Sequence, residues 1–479
     1  MKLAYLTEGL KCEIYGGDCE ISAISLYDYE CKDGSIFFCI KGNNADGENY
    51  PEKAVKNGAV AIVAMRYIDC GVPCVVVKDV RKALTWICKR FYSEPQKRLK
   101  TIGVVGTDGK TSVCEIMCSI LTNSGIKCGR IGTSGAWYDG KTYDTGMTTP
   151  DPPVLYAILS DMANRGEEAV CMELSAHAIY YKKADFMFDI LVFTNCTRDH
   201  LDFFGSVEKY RCVKASAFSH KNCRLAVVNA DDPLGVIIAM KRKSGTITYG
   251  IEQPSDVFAL DVNESADGTK FLINLFDRLY DVESRLVGRF NVYNLLAVTT
   301  ACALYGLKTD KIAEELSKIL PVNGRMQKVH SKPDVYVDYA HTPGGLENAL
   351  SVLKRISEGR VICVFGCGGN RDEGKRRLMG ETSGKLADLT VVTCDNPRFE
   401  DSSAIIREIE SGLRNVQGSE YVTVSDRKQA IEFALQSANP DDTVLIAGKG
   451  AENYQDIMGV KQPFSDEEIA LTFYDKKRV

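Results

Sequence analysis

The run TIGVVGTDGKTSVCEIMCSIL, residues 101–121, constrains this chain more than any other stretch. Its β-branched, apolar start reads as a strand, its glycines as a tight turn, and its apolar spacing after Lys110 as an amphipathic helix. A strand that passes to a helix through a glycine loop belongs to an α/β sheet with helices packed on its faces. The loop itself comprises Gly106, Thr107, Asp108, Gly109, Lys110, Thr111 and Ser112. It offers phosphate its backbone amides and a helix N-terminus, with Lys110 to offset charge and the Thr111 hydroxyl for magnesium. ATP binding is the direct inference. Val104 stands where a full Walker spacing puts its first glycine, so a chance Gly-rich turn is the competing reading; the order strand, loop, helix favours the nucleotide.

At 479 residues the chain has room for three domains, since single cores rarely grow past about 250 residues. Its 45% hydrophobic and 26% charged residues are ordinary globular values, which exclude disorder and fibrous repeats. A formal net charge of -5 supplies no basic field for nucleic acid. The opening MKLAYLTEGLKCEIYGG lacks a leader's apolar run, and no 18-residue apolar stretch follows, so neither secretion nor membrane insertion is expected. The 18 cysteines lie scattered in apolar segments without CxxC pairs, as suits free thiols in a reducing cytosol. Cys114 and Cys118, one helical turn apart, read as core residues ahead of metal ligands.

Pattern changes divide the chain at residues 1–98, 99–324 and 325–479. The first part holds the short apolar runs SIFFCI, AVAIVA and CVVV, joined by turns such as KGNNADGENY. It closes on a helical pattern, VRKALTWICKRFYSEPQKRL, with Pro95 in a linker. The second alternates helices with the strands TIGVVG, AVCMEL, DILVFTN, RLAVVN and TITYG, a mostly parallel sheet. The third restarts the alternation with VYVDYA, RVICVFG, LTVVTC, YVTV and TVLIAG, a Rossmann-like domain.

A second chemical group is acidic and imidazole-bearing: Glu173 at the end of AVCMEL, and Asp199 with His200 after DILVFTN. Strand-end groups of this kind near a phosphate loop suit magnesium, because a triphosphate needs its charge offset during transfer. The bland alternative makes Glu173 a helix cap and His200 a turn residue.

Together these segments resemble the Mur ligases, and within them the diaminopimelate-adding MurE type. The pieces stand in family order as GTDGKTS, TTPDP, MELSAHAI, FTNCTRDHLDFFG, GRFNVYNLLA, VNGRM, VDYAHTP, FGCGGNRDEGKR, DNPRFED and GKGAENYQ. The resemblance covers nearly the whole chain. It implies a small N-terminal α/β domain that binds the UDP substrate, a central P-loop ATPase-like domain and a C-terminal Rossmann-like domain. It also implies an activity: ATP phosphorylates the terminal carboxylate of UDP-N-acetylmuramoyl-L-alanyl-D-glutamate, and the amine of meso-2,6-diaminopimelate attacks the acyl phosphate. Such a reaction needs positioning and charge stabilisation more than a covalent catalyst. A cytoplasmic, monomeric enzyme of peptidoglycan precursor synthesis, with no membrane or nucleic-acid partner, is the expectation.

By the same resemblance Lys214 is carried as a carbamate and joins Thr111, Glu173 and His200 on magnesium, while Lys110, Glu173, His200 and Lys214 are the catalytic set. Asn291 and Asn294 meet adenine, and Arg325 and Asp338 hold the nucleotide from the third domain. Thr148, Thr149, Ser175 and Lys183 fall to the UDP substrate. Arg371, Asp395, Asn396, Pro397, Arg398, Gly448 and Glu452 fall to diaminopimelate, with Arg398 gripping its second carboxylate as a fork and Glu452 suited to the distal ammonium.

The chain departs from the family pattern at Asp108 for Asn, Ala176 for Ser, Gly344 for Asp, Asn370 for Asp, Ala451 for His and Lys183 for Arg. Tyr27, Asp28 and Tyr29 replace an Asp-Ser-Arg segment that helps hold uridine. Two alternatives therefore stay open: a paralogue acting on another carboxylate donor, and a nucleotide-binding regulator without turnover.

Overall fold

The computed structural model describes residues 1–42 and 46–477, so residues 43–45 of the KGNNADGENY turn lie outside it. The chain divides into two compact units. One is built from Met1–Val105, Gly125–Leu191 and Ser216–Leu225, the other from Gly106–Ser124, Val192–Ala215 and Ala226–Val479.

The first unit contains a five-stranded sheet in the order Cys12–Tyr15, Cys74–Val77, Ala59–Ala64, Ser35–Phe38, Ala23–Ser25. Its four pairings are parallel except for the edge pairing of Cys12–Tyr15, which is antiparallel. SIFF is buried at every position and AVAIVA at all but one, as strands covered on both faces require. The helix Val80–Phe91 starts where the Asp79 carboxylate accepts the Lys82 amide, and buries Val80, Ala83, Leu84, Ile87 and Cys88. Its pattern stops at Phe91 because Ser93 and Glu94 take positive φ and Pro95 follows. In the same unit Lys100–Val105 pairs in parallel with Ala169–Leu174, and that strand with Cys128–Gly132. Two antiparallel strands, Gly135–Tyr138 and Lys141–Tyr143, continue from there.

The second unit holds the phosphate-loop helix Lys110–Asn123 packed on the buried helix Arg289–Tyr305. Cys114 and Cys118 are core residues of the former. Residues 226–229 pair in parallel with Thr246–Gly250. An antiparallel ribbon, Val257–Ser265, Gly268–Leu275 and Arg278–Ser284, then departs from the parallel sheet expected for this part of the chain. The Rossmann-like restart is a six-stranded sheet in the order Gln327–His330, Asp334–Asp338, Thr443–Ala447, Val361–Phe365, Leu389–Val392, Tyr421–Thr423. All its pairings are parallel except the edge strand Gln327–His330. Val361–Phe365 and Thr443–Ala447 are buried throughout and feed apolar clusters on both faces. Among the described residues no helix is long and apolar enough to cross a membrane.

Candidate functional site

In the second unit the phosphate loop is held from below by Thr194 and Asn195. The Thr107 amide donates to the Asn195 carbonyl at 3.0 Å and the Asp108 amide to Asn195 Oδ1 at 2.9 Å, while Thr194 Oγ1 donates to the Asp108 carbonyl at 2.7 Å. Gly106 is required by this support: a Cβ there would stand 1.8 Å from Thr194 Oγ1. Lys110 arches back over the loop, its Nζ donating to the carbonyls of Gly106 at 3.1 Å and Thr107 at 2.8 Å. The ammonium is thereby centred where a phosphate chain would lie. Burial raises the Asp108 pKa against the pull of Lys110 and Lys214, and Thr197 Oγ1 donates to its carboxylate at 3.3 Å.

Lys214 reaches the same loop. It is 0% exposed, its Nζ donates to Thr107 Oγ1 at 2.6 Å, and it stands 4.1 Å from the centre of the Tyr210 ring. Burial lowers its pKa to about 7. Asp199 and His200 lie together, with Nε2 of the imidazole 3.3 Å from Oδ2 of the carboxylate. Burial lowers the His200 pKa although Asp199 opposes it. For Asp199 burial alone would raise the pKa, yet His200, His341 and Lys375 outweigh it. His200 takes φ 53°, a left-handed conformation uncommon outside glycine.

Arg325 joins this group from beyond the six-stranded sheet's first strand: its Nη2 donates to Thr111 Oγ1 at 3.0 Å and its guanidinium lies 4.2 Å over the Tyr339 ring. Asp338 accepts the amides of Met326 at 2.6 Å and Ala340 at 2.8 Å, which shapes the turn carrying Arg325. Asn291 and Asn294 are buried and joined, Asn294 Nδ2 donating to Asn291 Oδ1 at 3.1 Å. Ser112 is buried in the first helical turn.

The first unit gathers the remaining acidic and hydroxyl residues. The Glu173 carboxylate accepts the Thr133 amide at 2.8 Å and the Thr133 hydroxyl at 3.2 Å, and Thr133 Oγ1 is 3.1 Å from Thr148 Oγ1. Thr149 Oγ1 donates to the Glu173 carbonyl and accepts the Ser175 amide. Lys183 Nζ pairs with Asp151 at 2.8 Å and donates to the Thr149 carbonyl. Glu173 is thus a strand residue, not a helix cap. Tyr27 and Tyr29 stack with centroids 5.3 Å apart.

The residues assigned to the amino acid converge on the carboxyl end of the six-stranded sheet, where α/β folds place their ligands. Asn396 Nδ2 donates to Glu452 Oε2 at 2.9 Å, and Gln455 Nε2 donates to the Asp395 carbonyl at 2.7 Å. Gly448 lies against Asp395, whose Oδ2 would be 2.6 Å from a Cβ. Arg398 follows Pro397 with φ 52°, and its Nη1 donates to the Gly369 carbonyl at 2.6 Å. Arg371 is exposed. Gly324, just before Arg325, packs on the turn at Gly450 and Ala451, so this wall touches the nucleotide side.

Sequence reasoning missed His341, Lys375, Tyr339, Tyr210 and Lys449. Burial pushes His341 down to about 3, and its carbonyl accepts Lys375 Nζ at 2.9 Å. A lysine set between two glycines, in GKG, was the available signal for Lys449. For Tyr210, inside a helix of mixed residues, none was visible.

Comparison with known proteins places these groups in context. A family model described as the Mur ligase middle domain matches residues 104–302, and one described as the glutamate ligase domain of Mur ligases matches residues 324–450. A UDP-N-acetylmuramoyl-L-alanyl-D-glutamate--2,6-diaminopimelate ligase of Geobacillus thermodenitrificans is 40% identical over 473 residues, 97% of this chain and 96% of that protein. A protein of the same name from Caldanaerobacter subterraneus is 39% identical and covers 98% of both chains. A solved structure with that name superposes with a TM-score of 0.68 at 31% identity over 96% of each chain.

Proposed function

Because the chain belongs to the Mur ligase family, we propose that it adds meso-2,6-diaminopimelate to UDP-N-acetylmuramoyl-L-alanyl-D-glutamate at the expense of ATP, through an acyl phosphate, in cytoplasmic peptidoglycan precursor synthesis. The observation that carries the reading is the phosphate loop, with Lys110 arched over it, Arg325 on Thr111 and Lys214 on Thr107. Two cationic side chains from separate segments, Lys110 and Arg325, converge on one glycine loop, as transfer of a triphosphate's terminal group demands, and Lys214 reaches the same loop from a third.

The residues fit ATP and magnesium. The loop has no room for side chains at Gly106, its amides begin a helix, and the Thr111 hydroxyl is an oxygen donor of the kind magnesium takes, with the His200 imidazole proposed beside it. Magnesium, when bound, offsets the triphosphate charge. Lys110 holds the phosphates in line, Arg325 steadies them from the third domain, and Asn291 and Asn294 receive adenine.

Lys214 as a carbamate is the finer part of the proposal. An unprotonated amine attacks carbon dioxide, an N–C bond forms and the nitrogen gives up a proton, leaving an anion in place of a cation. Complete burial of the lysine beside a hydroxyl, with no need to reach solvent, supports that chemistry. The amino acid is assigned to Arg371, Asp395, Asn396, Pro397, Arg398, Gly448 and Glu452, and the UDP substrate to Thr148, Thr149, Ser175 and Lys183. The proposed domain limits are 1–98, 99–324 and 325–479, in a monomer.

Phosphate release from ATP and magnesium, measured with the UDP-muramoyl dipeptide and either meso-diaminopimelate or L-lysine, tests the reading. Turnover with diaminopimelate alone supports it. ATP binding without turnover on either amino acid would remove the donor assignment.

A further inference from the structure

Lys449 is 0% exposed, yet it carries an ammonium group. Its Nζ lies 3.0 Å from Asn396 Oδ1, 3.1 Å from Glu452 Oε2 and 3.8 Å from Asp395 Oδ1. The chain turns it inward between two glycines of positive φ, Gly448 at 114° and Gly450 at 52°. For stability alone such a placement is wasteful, since well-packed apolar residues match or exceed buried ion pairs. The side chains it holds are the ones assigned to the amino acid.

Its contacts also settle an orientation. Asn396 Oδ1 accepts both Lys449 Nζ and the Asp456 amide at 2.9 Å, so the amide cannot turn over without losing two donors. Asn396 must therefore present its Nδ2 to Glu452 Oε2, the oxygen that Lys449 also engages. Without the ammonium the amide has one donor fewer to lock it, and Glu452 gains a rotamer and an uncompensated charge.

We propose that Lys449 is a positioning residue of the amino-acid pocket: its buried ammonium fixes the Asn396 amide and the Glu452 carboxylate in the geometry that selects a diamino dicarboxylic acid. This rests on the assignment of diaminopimelate to the pocket. Lys449 is buried beneath the pocket and acts through its two neighbours.

The test is steady-state kinetics of Lys449→Met and Lys449→Gln, each in the wild-type and the Glu452→Gln background, with melting curves alongside. Lys449→Met should raise the KM for meso-diaminopimelate at least tenfold, leave kcat within threefold and the KM for ATP within twofold. Lys449→Gln, which keeps a donor, should recover part of the loss. In the Glu452→Gln background the same substitution should raise the KM by a smaller factor than in the wild type, because one of its two partners is already gone and only the Asn396 contact remains. An unchanged KM in a folded variant, an equal rise in the KM for ATP, a full effect without Glu452, or loss of folding in both variants would each overturn the proposal. Wild-type enzyme that turns over no diaminopimelate would instead remove the amino-acid assignment on which it stands.

Discussion

Two lysines of this chain are equally hidden from water and live in opposite surroundings. Lys214, by the phosphate loop, meets a hydroxyl and an aromatic ring. Lys449, by the amino-acid pocket, meets an amide oxygen and two carboxylates. With only a hydroxyl in hydrogen-bond reach, burial of Lys214 disfavours its ammonium and frees an amine for chemistry, whereas Lys449 has amide and carboxylate oxygens within reach and holds those neighbours in place. The first arrangement makes a reagent and the second a fixture.

The largest effect should come from Lys214. Replacing it with Ala should lower kcat by roughly 10²- to 10³-fold, the scale of losing one preorganised charge at a reacting centre. Depleting carbon dioxide should depress the wild-type enzyme and bicarbonate restore it. Full activity of the variant would erase the contrast with Lys449. On the amino-acid side, Arg398→Ala should raise the KM for diaminopimelate by about 2 kcal/mol or more in transition-state terms and leave ATP nearly untouched. Because Arg398 also donates to the Gly369 carbonyl, an equal effect on both substrates would mark it as a turn residue.

A smaller change probes the loop itself. Asp108→Asn removes a carboxyl whose pKa burial already raises and keeps an acceptor for Thr197; the KM for ATP should fall by about 1 kcal/mol or less. A rise would show that the carboxyl assists the loop. The smallest effect concerns folding. Burial alone would raise the Glu315 pKa, but hydrogen bonds from Lys311, Lys318 and Asn123 hold it at about 2. Its stabilisation is present above the ordinary glutamate pKa of about 4.3 and disappears as pH falls toward 2. Glu315→Gln should therefore melt lower at neutral pH, by under about 1 kcal/mol, and match the parent in acid. Melting curves that stay apart at pH 2 would argue for a packing effect.

Much of this was legible in the sequence where local pattern decides structure. SIFF, AVAIVA and CVVV are strands because continuous apolar runs bounded by turns have no other economical burial. The phosphate loop follows from glycine spacing before an amphipathic helix. The ribbon spanning 257–284 escaped notice because its outer positions alternate with water-facing ones, so no run is apolar enough to stand out. At the site, Lys110, Thr111 and His200 were legible from neighbours in sequence. The supports from Thr194 and Asn195, and the burial of Lys214 and Lys449, arise between segments far apart in the chain, where one-dimensional spacing carries no distance.

The contact of Gly324 with Gly450 and Ala451 has a consequence at the level of the gene. A Cβ at Gly324 would stand 2.1 Å from the Ala451 nitrogen and 2.4 Å from the Gly450 carbonyl carbon, both main-chain atoms that no rotamer change can move aside. Every amino-acid replacement that a single base change can make in a glycine codon introduces at least that carbon. A missense change here would therefore press on the segments carrying Arg325 and Lys449 together, so the proposed nucleotide and amino-acid sites share one codon at which neither can drift alone.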